Sequence, residues 1–171
     1  MLKEQTKRLI LDLQKKYPER RSALLPALHL AQAEKGYLPR ETQDEVAALF
    51  EIDPNEVYSV VTFYDMFFEK PTGKHVIHIC KNVSCMLRGG DELLMSLCHH
   101  LQVEPRMLTA DGEFMVIPSE CLGACDRAPM MLVDDKVIGP VKESDLAGIL
   151  KDAQNGPGHP CPASHLEVDY A

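Results

Sequence analysis

The chain has 171 residues, 45% of them hydrophobic and 26% charged, with a formal charge of −8. That length is enough to bury a core of ordinary size, and the acidic balance excludes nucleic acid as the main partner, because a phosphate backbone demands a basic surface. No stretch approaches a run of about 18 apolar residues, which excludes direct membrane insertion, and the opening Met1-Leu2-Lys3-Glu4-Gln5 carries no apolar core of a secretory signal and too many early acids for a mitochondrial presequence.

Taken in chain order, the first 70 residues read as a helical bundle. Leu9, Ile10, Leu13 and the stem of Lys16 recur at helical spacing, and Pro18 ends that segment. A second helix is predicted from Arg21 to Lys35, with Leu24, Leu25, Leu28 and Ala31 on one face and Gly36 as its stop. Pro26 places the true first turn later than Arg21. The third helix starts between Pro39 and Thr42 and carries Val46, Ala47, Leu49 and Phe50. The fourth has Asp53 as N-cap, Pro54 at its first position and Glu56 three residues after the cap, followed by Val57, Val60, Val61 and Phe63.

Pro71-Thr72-Gly73 punctuates the chain. His75 to Cys80 then reads as a strand rich in β-branched residues, and Asp91 to Leu101 as a helix burying Leu93, Leu94, Leu97, Cys98 and Leu101. Phe114 to Pro118 is a second strand. Met130 to Val133 and Lys136 to Val141 form a hairpin turned at Asp134-Asp135, and Glu143 to Ala153 closes the unit as a helix. The fold class is therefore α+β: a bundle over 1–70, a thioredoxin-like β-α-β-β-α domain over 71–154, and an extended tail over 155–171.

Four of the six cysteines fall into two close pairs, Cys80/Cys85 and Cys121/Cys125, each where a predicted strand runs into a turn. A soluble cytoplasmic protein is the expectation, and in that reducing compartment clustered thiols hold metal or do redox chemistry more often than they form structural disulfides. Four thiolates suit an iron–sulfur cluster or a zinc ion. A zinc-stapled interaction module remains a reading of the spacing, although the second domain carries a core of its own. A catalytic dithiol would need a C-x-x-C pair at a helix start, and neither pair has that spacing. Gly123 lets the Cys121–Cys125 segment bend and brings backbone N–H groups toward a cluster's sulfurs, and Gly89-Gly90 do similar work after the first pair.

Asp111-Gly-Glu-Phe-Met-Val-Ile-Pro-Ser-Glu-Cys121-Leu-Gly-Ala-Cys125-Asp-Arg-Ala-Pro129 closely resembles the signature of the 24-kilodalton subunit family of respiratory complex I, the NADH:quinone oxidoreductase. The likeness also takes in Val60-Val61-Thr62-Phe63-Tyr64, Pro71-Thr72-Gly73-Lys74 and both cysteine pairs. It implies a 2Fe–2S cluster as cofactor, held by Cys80, Cys85, Cys121 and Cys125. It implies as partners a flavoprotein subunit that binds FMN and NADH, and a larger iron–sulfur subunit of the same complex. The chain would then be an electron-transfer subunit, peripheral on the cytoplasmic face of the inner membrane. Similar subunits serve NAD-linked hydrogenases and formate dehydrogenases. Met115 departs from the signature, which usually has Ser or Thr there. No Gly-rich phosphate loop is present, so neither NAD nor FMN is expected on this chain, and no catalytic residue is assigned to it.

The remaining candidates read as structural. Cys98 is a packed core thiol. Cys161, with His159 and His165 nearby, is an incidental thiol of the tail. His75, His78, His99 and His100 are not ligands, the last two lying at a helix C-terminus. The aromatic run Tyr58, Phe63, Tyr64, Phe67 and Phe68 reads mainly as core, and Asp134-Asp135 as a turn.

Overall fold

Helical periodicity at the start of the chain becomes four α-helices in the computed structural model, which describes residues 1–158: α1 (Glu4–Gln14), α2 (Leu24–Lys35), α3 (Arg40–Phe50) and α4 (Pro54–Phe63). They belong to a first unit, Met1–Pro71, whose core includes Ile10, Leu13, Leu28, Leu38, Val46, Phe50, Val57 and Val61. A second unit begins at Thr72. Cys161, His159 and His165 lie outside the described residues, as does most of the expected tail.

Local chemistry accounts for the helix ends. Residues Arg20–Ala23 form a 3-10 turn, so α2 begins at Leu24 and Pro26 falls in its first turn, where an N–H has no intrahelical acceptor anyway. Gly36 closes α2 with φ +80°, its N–H donating to the Gln32 carbonyl at 2.7 Å. The Asp53 carboxylate accepts the Asn55 N–H at 2.7 Å, while Glu56 pairs with Arg21 at 2.6 Å instead of reaching back to the cap. Three predicted core positions differ: Leu9 is 48% exposed, Tyr58 41% and Phe63 77%. The inward face is taken by a nearby apolar residue instead, Ile10 in α1 and Val61 in α4. Gln32 is buried and clamps the chain beyond α4, donating to the Met66 carbonyl and accepting the Phe68 N–H, both at 2.9 Å. Phe67 is thereby held in the core.

The second unit contains β1 (His75–Cys80), α5 (Val83–Met86), α6 (Gly90–Leu101), β2 (Phe114–Ser119), β3 (Met131–Val133), β4 (Lys136–Ile138) and α7 (Leu146–Gln154). The sheet order is β2-β1-β3-β4, with β1 and β2 parallel and the other pairs antiparallel. Strand β1 is interior and buried at five of its six positions, which explains why apolar residues point to both of its faces. Ile77, Ile79, Leu93, Leu97, Phe114, Val116, Met131 and Leu150 form the core. Strand β4 ends at Ile138, before Gly139-Pro140, because proline has no N–H for the ladder. Val141 is instead buried beyond it, donating to the Pro129 carbonyl at 2.9 Å. A 3-10 turn at Glu143–Asp145 precedes α7. The Asp134 turn residue, at φ +55°, also anchors β1, meeting His75 Nδ1 at 2.9 Å and accepting the Val76 N–H at 3.0 Å.

Candidate metal centre

Parallel pairing sets Cys80, the last residue of β1, opposite Ser119, the last residue of β2. Both strands therefore leave the sheet at the same carboxyl edge, the place where open α/β sheets build their sites. The Lys81 N–H donates to the Ser119 carbonyl at 3.0 Å, which continues the pairing one step past Cys80. Cys121 follows two residues after Ser119, and Cys125 opens a 3-10 turn, Cys125–Arg127. Between Cys121 and Cys125 the backbone turns at Gly123, whose φ of +81° suits glycine.

Cys85 is delivered by α5, a four-residue helix whose Asn82 cap accepts the Val83 N–H at 2.9 Å. Its return path is steric. A β-carbon on Gly90 would lie 2.9 Å from the Cys85 carbonyl oxygen and 3.0 Å from that of Cys80. Glycine there lets the first turn of α6 rest on the backbone of both cysteines. The glycine pair thus acts through space at Gly90 and through a left-handed φ of +90° at Gly89.

The thiols form two pairs of different character. Cys80 and Cys85 are 3% and 1% exposed, whereas Cys121 and Cys125 are exposed. The Sγ atoms of Cys121 and Cys125 are 3.9 Å apart. Two thiolates bound at about 2.3 Å to one tetrahedral metal are separated by roughly 3.8 Å, so this pair is already spaced for a shared ion. Burial pushes the Cys85 thiol up, neighbouring Cys80 and Cys125 push it further, and the Met130 backbone N–H opposes them. Cys85 therefore senses thiols from both loops. Among the described residues no three His, Cys, Asp or Glu side chains gather tightly enough for a single metal ion. Ala128 and Met130 pack against Cys80 and Cys85, with Leu122 and Ala124 at the margin, which gives the inner pair an apolar wall.

Polar side chains also link the loops. Glu120, beside Cys121, pairs with Lys81 at 3.4 Å and accepts from Asn82 Nδ2 at 3.5 Å. Arg88 Nε donates to the Ala128 carbonyl at 3.0 Å. Sequence reasoning missed Asn82, Arg88 and Glu120, because none carries a spacing signal.

Other candidates sit elsewhere. Cys98 is half-buried on α6, and burial pushes its thiol up. His78 Nδ1 meets Ser119 Oγ at 2.9 Å, and His99 and His100 lie in the last turn of α6. Met115 stands opposite Val76 in the β1–β2 register.

Known proteins share this organisation. The model of the thioredoxin-like 2Fe-2S ferredoxin family matches residues 10–154. An NADH-quinone oxidoreductase subunit of Rhizobium meliloti is 41% identical over 136 residues, covering 80% of this chain and 81% of that one. The HndA subunit of the NADP-reducing hydrogenase of Solidesulfovibrio fructosivorans is 35% identical, covering 79% of each. A crystal structure of NAD+-reducing NiFe-hydrogenase in the H2-reduced state superposes with a TM-score of 0.66 at 26% identity, covering 77% of this chain. This chain spans only 22% of that hydrogenase chain. A matched segment running from α1 to the end of α7, with both cysteine pairs inside it, settles the assignment: the chain belongs to the thioredoxin-like 2Fe-2S ferredoxin family.

Proposed function

We propose that Cys80, Cys85, Cys121 and Cys125 ligate a 2Fe–2S cluster and that the chain is the one-electron carrier of an NADH-oxidising complex. The observation that carries this reading is the meeting of two thiol pairs at one sheet edge, one shielded and one exposed with sulfurs 3.9 Å apart. An all-cysteine 2Fe–2S centre takes four soft thiolates, and the donor set fits it. The close pair suits one iron and the buried pair the other. When bound, such a cluster supplies a site that gains and loses one electron.

The chain's own residues do the rest. The wall of Ala128 and Met130 keeps water from the inner thiolates, and the Met130 N–H stabilises negative charge on Cys85 Sγ. Exposed Cys121 and Cys125 mark the side from which an electron partner approaches. Hydride chemistry belongs to that partner, because a thiolate-held centre moves single electrons.

The relatives' names support a role as part of an NADH:quinone oxidoreductase. The partner is then a flavoprotein subunit carrying FMN and binding NADH, beside a larger iron–sulfur subunit, on the cytoplasmic face of the inner membrane. No described helix is long and apolar enough to cross a membrane, so attachment would run through the complex. The hydrogenase likenesses favour a second reading, the equivalent subunit of an NAD-linked hydrogenase.

Purification of the native complex tests both. Co-purifying quinone-reductase subunits support the first reading, and a hydrogenase large subunit supports the second. Stoichiometric iron and acid-labile sulfide, with a paramagnetic signal after one-electron reduction, support the cluster. A colourless chain that holds zinc refutes it.

A further inference from the structure

The loops that carry the thiols are joined by a side chain that is not itself a ligand. Arg88 lies three residues after Cys85, and its N–H donates to the Cys85 carbonyl at 3.1 Å, so the turn after α5 fixes its backbone. Its guanidinium Nε reaches the Ala128 carbonyl at 3.0 Å, 40 residues away in sequence. Ala128 is 2% exposed, packs with Cys80, Cys85 and Met130, and directly follows the Cys125–Arg127 turn. One residue thus spans from the backbone of the Cys85 loop to the backbone of the Cys125 loop.

Two features set this bond apart from the other link. The Lys81–Glu120 pair is exposed at both ends, and such pairs contribute little. Arg88 instead brings a charged donor to a buried carbonyl, an interaction stronger than a neutral hydrogen bond. Among the described residues Arg88 forms no ion pair with a carboxylate, and its exposed side chain shares a surface cavity with Glu92, Lys142 and Glu143.

We propose that Arg88 is a positioning residue for the centre: it locks the Cys125 loop onto the Cys85 loop, and its guanidinium rests on the carbonyl of Ala128, part of the wall against the inner thiolates. The inference rests on the cluster reading above. A loop released at Ala128 lets Cys125 leave its ligand position more often, which shows as faster loss of metal. Reduction adds negative charge to the centre, so a nearby cation favours the reduced form.

The experiment uses the full chain carrying its cluster, as wild type, Arg88→Met and Arg88→Lys. Three quantities are measured: the rate of iron release to a chelator, the midpoint potential by titration of the paramagnetic signal, and thermal unfolding of the metal-free chain. Arg88→Met is expected to release iron several-fold faster and to have a more negative midpoint. Arg88→Lys keeps the charge without the Nε donor, so it also releases iron faster while its midpoint stays nearer wild type. The metal-free unfolding temperature should fall modestly and by a similar amount in both variants, since each takes the Nε donor from the Ala128 carbonyl, whereas the midpoint should separate them. Should Arg88→Met fail to assemble, Arg88→Lys supplies the release rate. Release at the wild-type rate in either variant overturns the proposal, as does an unchanged midpoint in Arg88→Met. A wild-type chain that never holds iron refutes the cluster reading instead, so the two failures are distinguishable.

Discussion

Two helical glycines should respond to the same substitution with opposite signs. Gly90 opens α6, and an alanine β-carbon there would sit 2.9 Å from the Cys85 carbonyl oxygen and 3.0 Å from both the Cys80 carbonyl oxygen and the Cys85 carbonyl carbon. These neighbours are backbone atoms already held by hydrogen bonds, Cys80 N–H to Met130 at 3.3 Å and Arg88 N–H to Cys85 at 3.1 Å. They can move only by disturbing both cysteine loops. Gly148 lies in α7, with no atom within 4 Å of the ideal β-carbon. Alanine exceeds glycine in helix propensity by roughly 0.8–1.0 kcal/mol in a helix interior; Gly148 is the third residue of α7, so Gly148→Ala should stabilise by part of that, about 0.5 kcal/mol. At Gly90 the propensity gain is smaller, because the first turn is only partly hydrogen-bonded, and overpacking against fixed atoms costs about 1–3 kcal/mol. The expected net loss is about 1–2 kcal/mol, a fall in Tm of roughly 5–10 °C for a unit of this size. Thermal unfolding followed by circular dichroism reads both changes, with iron content measured beside it. Gly90→Ala as stable as Gly148→Ala, and holding wild-type iron, would refute the packing argument.

Serine at Cys80, Cys85, Cys121 or Cys125 should weaken or strip the cluster, seen as lost visible absorbance, while Cys98→Ser and Cys161→Ser retain it. Gln32→Ala should destabilise the helical unit by about 1–3 kcal/mol, because the part-buried Met66 carbonyl and Phe68 N–H lose their partner. A lower urea midpoint at unchanged slope checks this. His29 is half-buried against Phe67, ring centroids 4.8 Å apart, and burial lowers its pKa below 6.5. The unfolded chain therefore takes up a proton that the folded one resists, so stability falls as pH drops below about 6.5 and levels off once the folded histidine also protonates. Unfolding curves of His29→Leu across that range should lack this component, and an unaltered pH dependence would exclude His29 as its source.

Much of the architecture was legible along the chain because its causes are short-range. The Asp53-Pro54 start of α4, the Gly36 stop of α2 and the β-branched run from His75 to Cys80 act within one turn or one strand. Two cysteine pairs, each beside a strand end, were visible in the same way. Helix α5 was not, since four residues carry no period. Nor was the exposure of Phe63, because α4 has apolar residues on more than one face and only packing selects among them.

By itself the sequence determined the number and spacing of the thiols, the boundaries of the strands and of every helix longer than α5 to within a turn, and the family. Only the tertiary structure decided that Cys80 and Cys85 are shielded while Cys121 and Cys125 face outward. It alone joined Arg88 to Ala128 and His75 to Asp134, pairs separated by 40 and 59 positions. The physical reason is range: caps and periods are set by neighbouring residues, whereas burial and cross-loop hydrogen bonds depend on where the chain returns after the sheet has formed.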